Sequence, residues 1–514
     1  MPDALQSGRQ QLAAITARLA KKCVRDGRIR HGDIGDIGPE AFALAHHHAR
    51  FAASSALIDW ADGHDDHARA LAKTHVATTL NALNAWCEAE PTARPFVREA
   101  LSTERLDRIG AALLARDEPE GPTGLTGVHA DLAHSLAHFA RDRIAPLAEA
   151  IHRQDLLIPE DLLTELAELG VFGVSIPERY GGCFIDHRAV VVATEALSTA
   201  SLGAGGSVIT RPEICTKALL AGGSEDQKAR FLPEISDGRR IVCVAVTEPD
   251  AGSDVAALRT VARPVQGGWR ITGEKMWCTL GGRADTLVLL ARTGGPGHRG
   301  LSLFLVDKPT SRERVFSHQQ DGGGEMSGSA IATVGYRGMH SYAIALDDWF
   351  VPDTQRIGDE GQGFFLMMKG FEGGRIQTAA RAVGVMRASL NAAVFAGAER
   401  RIFGRTLGDL PLTRARLAVM AATVQAGRQL AYRVADQMDD DTAGIGPALV
   451  KLMTCRDAEH ITRDAMQLHG GLGYAEESDV SRYWLDARVL SIFEGAEEVL
   501  ALRVIAPTLL REHL

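Results

Sequence analysis

Apolar residues near the start of the chain recur at the spacing of an α-helix. Leu12 and Leu19 fall on one face of such a helix, and residues 1–115 contain few of the runs that are typical of strands. A segment with Pro, Gly and acidic residues, 117–124, then interrupts the helical pattern. The pattern predicts an N-terminal helical domain over residues 1–115 and a linker over residues 116–128.

The hydrophobic period changes twice in the rest of the chain. It is helical at first, with a helix start at Pro159 and an end at Gly170, and then gives way to short apolar runs at 287–291 and 301–306. Long helical patterns return with positions such as Leu417. We therefore predict an α+β fold in which a β domain lies between two helical domains. Their expected bounds are residues 129–240, 241–356 and 357–514.

Composition and net charge limit the classes of protein to which this chain can belong. The chain has 514 residues, enough for about three domains of ordinary size, and its 45% hydrophobic and 24% charged residues are typical of a soluble globular protein. A formal net charge of -9 leaves no excess of Lys and Arg to displace the counterions of a phosphate backbone. We therefore expect no nucleic-acid partner.

The cysteines and the hydropathy predict a compartment. The seven cysteines are dispersed, with no C-x-x-C spacing, which indicates reduced thiols. The first residues do not resemble a signal peptide, and no apolar run reaches the roughly 20 residues that span a bilayer. We expect a cytoplasmic protein that does not enter a membrane.

Two groups of histidines could suggest a metal site. One is the run at residues 46–48, and the other contains His64 and His67. Consecutive residues of a helix do not face one another and cannot converge on one ion. These histidines are expected to lie on a solvated helix surface, and no metal is predicted.

The strongest chemical signal is a pair of short segments in the β region. The first, V-T-E-P-D-A-G-S-D at residues 246–254, follows a predicted strand and places Thr247 and Ser253 in a loop of small residues. The second, K-M-W-C-T at residues 275–279, combines the broad face of Trp277 with a hydroxyl. Either segment alone is equally well explained as a β-turn beside a buried Trp. Together, and in this order, they indicate a site for a flavin ring and a phosphate.

These segments resemble the TEP-x-AGSD loop and the KMW-x-T strand of the acyl-CoA dehydrogenase family, and the likeness extends over residues 129–514. The resemblance implies FAD as the cofactor. It also implies a helical domain, a central β-barrel-like domain and a C-terminal four-helix bundle, here with an extra N-terminal helical domain. In the family, two hydroxyls bond the flavin ring, an indole packs on it, and a third hydroxyl lies near the thioester. The matching residues are Thr247 and Thr279, Trp277, and Ser253, and Val246 completes the expected cofactor contacts.

A candidate catalytic carboxylate lies near the end of the chain. Glu494 stands between Phe493 and Gly495, after an apolar stretch, where partial desolvation would suit it to act as a base. Taken alone, it is better explained as a residue at a helix N-terminus that the helix dipole stabilises. In the family, however, the matching carboxylate removes the α-proton of the acyl thioester while the β-hydrogen leaves as hydride. The resemblance therefore assigns the catalytic base to Glu494 and a substrate contact to Gly495.

Some members of the family place the base on a helix instead, just before an arginine that corresponds to Arg375. That position is Gly374 here, and Glu372 lies on a different helical face. Arg375 itself is an expected substrate contact. The motif after Glu494 also departs from the family, because Ala496 and then an acidic pair stand where Thr and then Gln are usual.

Two further elements resemble the family's site for the adenine and pyrophosphate of FAD. They are the R-x-x-F-G element that begins at Arg400 and the Q-x-x-GG-x-G element that begins at Gln467. Arginine is a permanent cation, and glycines permit close approach of a phosphate. In the family these elements bind the FAD held mainly by a neighbouring subunit, which implies a homodimer or homotetramer. The expected contacts are Arg400, Phe403, Gln467, Gly470 and Gly471.

Three features resemble one branch of the family, the methylsuccinyl-CoA dehydrogenases. They are the N-terminal helical region, residues 296–300, and the runs at 335–342 and 373–381. The branch implies oxidation of (2S)-methylsuccinyl-CoA to mesaconyl-CoA in the ethylmalonyl-CoA pathway. The free carboxylate of that substrate needs a cation or several donors in a closed pocket. The candidates are Arg211 first, and then Tyr336, Arg337 and His340, although each is also explained as a structural residue.

Other functions stay open at this point. One alternative is another short or branched acyl-CoA, or a carrier-bound acyl thioester. A second is a nucleic-acid-associated flavoprotein of the alkylation-response branch, which residues 411–414 and 473–478 resemble, although the negative net charge argues against it. Electron-transfer flavoprotein is the usual electron acceptor in the family, and oxygen is the alternative.

Overall fold

The chain forms two compact units, which we call the helical unit and the sheet unit. The helical unit consists of residues 1–134 and 378–514, and the sheet unit consists of residues 135–377. Among the helices of the described residues, none has both the length and the apolar character needed to cross a bilayer. The computed structural model describes residues 1–25, 28–29, 34–87 and 91–513.

Amphipathic helices make up most of the helical unit. Leu12 and Leu19 of the first helix share one core with Leu510 near the end of the chain, so the two ends of the sequence stabilise each other. A short hairpin of β1 (Val24–Arg25) and β2 (Arg28–Ile29) follows the first helix. The main helices are Pro2–Cys23, Gly38–Asp62, Asp66–Trp86, Arg94–Ala100, Thr103–Leu113, Pro411–Asp439, Gly446–His469, Asp479–Leu490 and Ala506–Arg511.

The predicted linker is held firmly within the helical unit. Glu120 is buried, and its Oε1 accepts hydrogen bonds from Arg387 Nε at 2.9 Å and from the buried Arg428 Nη2 at 3.1 Å. Burial opposes ionisation of Glu120, but the two arginines outweigh it and hold the pKa of this carboxyl below its usual value. The Pro122 carbonyl also accepts from Gln425 Nε2 at 2.9 Å. This stretch therefore has the irregular backbone expected of a linker, but its hydrogen bonds fix it against other residues of the helical unit.

The sheet unit combines helices with a nine-stranded mixed sheet. Its core joins buried residues of two helices, such as Ile214 and Phe231, to buried strand residues such as Leu303. Within the unit lie helices Ala145–Gln154, Glu160–Glu168, His187–Ser198, Thr210–Gly222 and Glu225–Ser236. Two more helices, Gly127–Phe139 and Gly363–Glu399, contribute residues to both units.

The strands of this sheet are β3 (Val242–Ala245), β4 (Val261–Val265), β5 (Gly268–Thr279), β6 (Thr286–Arg292), β7 (Leu301–Asp307), β8 (Val315–Gln319), β9 (Glu325–Ile331), β10 (Ser341–Pro352) and β11 (Arg356–Ile357). They follow the order β11-β7-β6-β4-β5-β10-β9-β8, and β3 pairs with β6 in parallel. The long β5 and β10 strands run antiparallel, with register shifts that mark bulges. The far end of β5 carries the K-M-W-C-T motif.

The structure confirms the α+β class and the strands expected from short apolar runs. The runs at 287–291 and 301–306 lie inside β6 and β7, and the helix expected after Pro159 covers Glu160–Glu168. Gly170 follows that helix with a φ of 74°, which favours glycine. The four-part division of the chain stays a prediction, since compactness groups residues 1–134 with 378–514.

The expected solvated histidine surface was wrong for two of the residues. His47 is buried and stacks on Trp86, with ring centroids 4.7 Å apart. His67 is also buried, and its Nε2 lies 3.0 Å from the Pro119 carbonyl oxygen. Spacing along one helix does not reveal which other helices cover it. In the described part of the chain, no group of His, Cys, Asp and Glu side chains is arranged to hold a metal ion.

Candidate active site

A buried ion pair joins the two motifs that predict the flavin site. Lys275 Nζ lies 2.8 Å from Glu248 Oε1, and both side chains are buried. The Glu248 carboxylate also accepts the backbone N–H groups of Arg259 at 2.6 Å and Thr260 at 2.9 Å. Burial opposes ionisation, but Lys275 and these donors outweigh it and hold the pKa of Glu248 below its usual value. The pair fixes the loop after β3 against β5.

Sequence reasoning missed the role of this pair, although both residues stand within the motifs. The backbone adds a second link, because Met276 N donates to the Thr247 carbonyl at 2.8 Å. Thr247 is half-buried and Val246 is buried, whereas Ser253 is exposed in the loop. The structure thus brings Thr247 of the first motif next to the second motif, as the flavin prediction requires.

Trp277 is presented outward by an unusual backbone conformation. It has a φ of 61°, and 53% of the residue is exposed, although it belongs to a twelve-residue strand. A left-handed φ in a bulky residue is costly and is maintained only where neighbouring contacts impose it. The alternative of a buried tryptophan beside a turn is therefore wrong. An accessible indole at the end of β5 fits a partner with a broad apolar face, such as a flavin ring.

Arg211 lies beside the other motif hydroxyl. It is buried on helix Thr210–Gly222, and its Nη2 donates to Thr279 Oγ1 at 3.1 Å. Its Nη1 donates to the Tyr336 hydroxyl at 2.8 Å. Thr279 Oγ1 is also 3.3 Å from Ser341 Oγ. A hydroxyl offers one donor and two acceptor positions, so Thr279 keeps hydrogen-bonding capacity for a further group. A buried cation thus stands one hydrogen bond away from a hydroxyl expected at the flavin.

Arg337 and His340 hold the backbone of a neighbouring helix end. Arg337 Nη1 donates to the His152 carbonyl at 2.7 Å and its Nε donates to the Thr333 carbonyl at 3.0 Å. His340 Nε2 lies 2.9 Å from the Asp155 carbonyl oxygen and 3.2 Å from Asp155 Oδ1. These contacts occupy His340 Nε2 and two nitrogens of the Arg337 guanidinium, whereas His340 Nδ1 is buried without a hydrogen-bond partner among the described residues. Of the four candidates, Arg211 reaches the hydroxyl of Thr279 in the second motif, and Tyr336 contacts Arg211.

The Gly363–Glu399 helix carries the residues considered for an alternative base. Gly373 and Gly374 are buried, and a Cβ added at Gly373 would lie 2.4 Å from Glu213 Oε1. Arg375 is half-buried, whereas Glu372 is exposed and 3.7 Å from Lys369. The buried Glu213 side chain packs against Gly373, so a larger residue there would have to displace this carboxylate, which the sequence alone did not indicate.

Gln377 is a candidate that sequence reasoning missed. It is fully buried one helical turn after Gly373, and neither its amide oxygen nor its amide nitrogen has a hydrogen-bond partner among the described residues. A buried primary amide without partners is costly unless a ligand or water satisfies it. Its chemistry suits a polar group on a substrate.

Glu494 lies in the helical unit, in a loop before the Glu497–Val499 turn of helix, so the reading as a helix-terminal residue was wrong. It has a φ of 54°, and its Oε2 is buried with no hydrogen-bond partner in the described structure. Lys451 Nζ donates to the Gly495 carbonyl at 2.6 Å and fixes the loop next to the carboxylate. The guanidinium of Arg381 lies 4.6 Å from the centroid of the Phe493 ring. A carboxylate oxygen without donors is ready to accept a proton.

The two elements expected at the adenine and pyrophosphate are adjacent. Arg400 Nη1 donates to the Leu468 carbonyl at 2.7 Å, and a Cβ added at Gly470 would lie 2.6 Å from Arg400 Nη2. Phe403 sits in the turn between β12 (Arg401–Ile402) and β13 (Arg405–Thr406), with a φ of 50° and 93% exposure. Gln467 and Gly471 are exposed as well. The group is accessible, as a site that serves a second molecule must be.

Left-handed backbone conformations concentrate at the candidate residues. Ten non-glycine residues of the described chain have a positive φ, and five of them had been singled out for catalysis or binding. Strained conformations persist at functional sites, where the surrounding structure imposes them. The five are Trp277, Tyr336, His340, Phe403 and Glu494.

Comparison with known proteins agrees with this geometry. The chain matches the N-terminal, middle and C-terminal domain models of acyl-CoA dehydrogenases over residues 126–239, 243–349 and 361–510. It is 39% identical over 407 residues to a (2S)-methylsuccinyl-CoA dehydrogenase of Cereibacter sphaeroides, covering 78% of this chain and 73% of that protein. It is 31% identical to a mitochondrial isovaleryl-CoA dehydrogenase of Solanum tuberosum, covering 71% of this chain and 86% of that protein.

Solved structures show the same fold. The butyryl-CoA dehydrogenase of Megasphaera elsdenii is 28% identical, with a TM-score of 0.70 over 75% of this chain and 99% of that chain. A chain in a structure described as the electron transferring flavoprotein of Acidaminococcus fermentans is also 28% identical, with a TM-score of 0.68 over 74% of this chain and 97% of that chain. The protein belongs to the acyl-CoA dehydrogenase family, and it is an FAD-dependent oxidoreductase that acts on the CH–CH group of acyl-CoA thioesters.

Proposed function

We propose that the enzyme oxidises a dicarboxylic acyl-CoA, (2S)-methylsuccinyl-CoA, to mesaconyl-CoA. The observation that carries this proposal is the buried guanidinium of Arg211, which donates to Thr279 Oγ1 at 3.1 Å. In this substrate the carbon that loses hydride bears the carboxylate, so the carboxylate must lie close to the flavin-binding hydroxyl. The relative from Cereibacter sphaeroides supports the same substrate.

The carboxylate would be bound by charge-assisted hydrogen bonds. Arg211 presents a planar set of donors, and Tyr336 lies 2.8 Å from its Nη1. Gln377 supplies a buried amide in the same unit. Because Arg211 is a buried cation with a planar set of donors, a carboxylate that reaches it is favoured over an apolar acyl chain. This arrangement would select dicarboxylic over simple aliphatic thioesters.

Catalysis would use Glu494 as the base. The Oε2 atom of Glu494 receives no hydrogen bond from the described residues, so it would accept the α-proton of the thioester. The backbone amide of Glu494 would bind the thioester carbonyl and stabilise the negative charge that develops as the proton leaves. FAD, when bound, supplies the acceptor for the β-hydrogen. Thr247, Thr279 and Trp277 would hold its ring, and Ser253 would lie near the thioester.

We also propose that the protein acts as a homodimer or homotetramer and passes electrons to an electron-transfer flavoprotein. The exposed Phe403, Leu472 and Tyr474 near the adenine elements support a site completed by a second copy. The similarity to a chain of the Acidaminococcus fermentans structure supports the acceptor. Sedimentation that shows a monomer with a full complement of FAD would contradict the oligomer.

The test of the base is the bleaching of the yellow holoenzyme by substrate. We expect Glu494→Gln to slow this bleaching by about 10²–10⁴-fold while FAD content stays unchanged, because the variant keeps the size of the side chain but cannot take the proton. Glu372→Gln is the matched control, since Glu372 is an exposed carboxylate near the alternative position. A Glu494→Gln protein that bleached at the wild-type rate would remove Glu494 from the mechanism.

A further inference from the structure

The residue that starts the helix after Glu494 contacts the N-terminal region of the chain. The Glu497 side chain is mostly buried, and its Oε1 lies 2.8 Å from Arg456 Nη1 and 3.2 Å from His46 Nε2. Arg456 belongs to helix Gly446–His469, whereas His46 belongs to helix Gly38–Asp62. His46 Nε2 is also 3.3 Å from Arg456 Nη1. In either tautomer His46 therefore has a partner, since it can donate to Glu497 or accept from Arg456.

Apolar packing holds His46 in this position. Ala45, the residue before it, shares a buried cluster with Leu500 and Ile505, and Phe42 packs against the same cluster. The Phe42 and His46 rings are 4.7 Å apart, one helical turn from each other. The guanidinium of Arg456 lies 5.7 Å from the centroid of the Phe42 ring. Helix Gly38–Asp62 thus packs directly on the chain segment that follows the catalytic loop.

The loop at residues 491–497 is closed by Glu497 itself. Glu497 N donates to the Ser491 carbonyl at 3.1 Å, and Ser491 Oγ lies 2.5 Å from Glu459 Oε1. Lys451 holds the Gly495 carbonyl from the same helix as Glu459. Between these anchors stands Glu494 in its left-handed conformation. A strained residue relaxes when its surroundings no longer impose the conformation, so the position of its carboxylate depends on the anchors.

We propose that the N-terminal helical region positions the catalytic base, with His46 acting through Glu497 to fix the loop that carries Glu494. His46 and Glu497 are positioning residues, because they touch the loop and its anchors and not the reacting atoms. The inference rests on the proposed role of Glu494. It assigns a function in catalysis to a region that precedes the segments matched by the family models.

The variants that test this proposal are His46→Ala, Glu497→Gln and the double variant. Each holoenzyme would be assayed for exchange of the α-hydrogen of acetyl-CoA with solvent deuterium, which reports proton removal by the base without hydride transfer, and for the bleaching rate at saturating substrate. We expect both rates to fall about 10-fold, with KM and FAD content unchanged. The double variant should be no slower than the slower single variant, because the two residues act as one unit. His46→Gln, which keeps a donor, should restore most of the rate.

The matched control is His48→Ala on the same helix. The His48 Nε2 atom lies 3.1 Å from Thr16 Oγ1, and among the described residues His48 makes no hydrogen bond with the loop, so the control removes a histidine from the N-terminal region without touching Glu497. A wild-type exchange rate in both His46→Ala and Glu497→Gln would overturn the proposal, and so would an equal loss in His48→Ala. If His46→Ala does not fold, the exchange rates of Glu497→Gln and His46→Gln test the proposal instead. Exchange that survives Glu494→Gln would refute the proposed base itself, whereas exchange lost there but intact in the positioning variants would refute only this inference.

Discussion

At the scale of single residues, the backbone conformation of the proposed binding and catalytic residues is set before any ligand arrives. Trp277, Phe403 and Glu494 all have a left-handed φ, which costs a non-glycine residue of order 1–3 kcal/mol. Neighbouring hydrogen bonds, such as the one from Lys451 to the Gly495 carbonyl, offset that cost. Because the conformation is imposed by the fold, the proposed binding of a flavin ring and a thioester need not supply the energy to order these groups.

Arg211 gives the sharpest prediction at this scale. We expect Arg211→Gln to lower kcat/KM for methylsuccinyl-CoA by about 10²-fold, because the substrate carboxylate loses a charge-assisted partner in a buried site. Turnover of butyryl-CoA should change far less, since that substrate has no carboxylate to bind. The measurement is a comparison of both thioesters with an artificial electron acceptor.

Arg337→Gln is the control for that experiment. Its guanidinium is bound by the His152 and Thr333 carbonyls, so its removal should affect both thioesters alike. A wild-type enzyme that turned over butyryl-CoA or isobutyryl-CoA much faster than methylsuccinyl-CoA would argue against a dicarboxylate substrate.

The sequence points to the residues that are proposed to carry chemistry but not to those that hold them in place. Trp277 and Glu494 stand in recognisable motifs, so their importance could be read directly. Gln377 and Glu213 could not be identified, because their burial results from the approach of helices that are distant in sequence. Arg337 shows the converse, since a conspicuous cation turned out to bind backbone carbonyls.

At the scale of elements, periodicity located strands and helices better than it located their ends. Residues 269–273 have the pattern of a strand, but β5 extends over Gly268–Thr279, because pairing with the long β10 strand continues through two bulges. Residues 241–247 have the pattern of a strand, but β3 covers only Val242–Ala245, since the loop of the first motif begins where pairing with β6 ends. Local sequence does not specify the length of the partner strand.

The ion pair between the two flavin motifs should be essential for that part of the sheet unit. Lys275→Met would leave the Glu248 carboxylate buried without its cation, and we expect a loss of about 3–5 kcal/mol in the free energy of unfolding. Urea unfolding followed by circular dichroism would measure it. Removing the exposed Arg259–Asp250 pair in the same loop, by Arg259→Ala, should cost less than about 1 kcal/mol. Equal effects of the two substitutions would show that burial does not decide the outcome.

At the scale of the whole molecule, buried histidines of the N-terminal helices should make stability sensitive to acid. Burial, reinforced by Arg50, lowers the pKa of His75 from 6.5 to about 4. As the pH falls from 6.5 towards about 4, the unfolded chain binds a proton at His75 that the folded chain does not bind. The free energy of unfolding should therefore decrease by up to about 3 kcal/mol from this residue. Burial likewise lowers the pKa values of His47 and His48 to about 4.

The variant His75→Asn tests this dependence. Asparagine can keep the hydrogen bond to Ser54, which lies 3.1 Å from His75 Nδ1, but it does not titrate. Urea unfolding at pH 8, 6.5 and 5 should show a shallower loss of stability for the variant than for the wild type. Parallel curves would mean that His75 does not contribute to the acid sensitivity.

The composition of the helical unit also sets an order of events during synthesis. Residues 1–134 belong to a unit that is complete only with residues 378–514. The buried Glu120 can form its hydrogen bonds with Arg387 and Arg428 only after those two residues have been synthesised. At about 5–20 residues per second, a ribosome needs on the order of tens of seconds to make the intervening residues 135–377. During that interval the nascent N-terminal helices expose apolar faces such as that of Leu12, which the end of the chain later covers. Production of this protein should therefore depend on chaperones that shield the early helices until the last ones emerge.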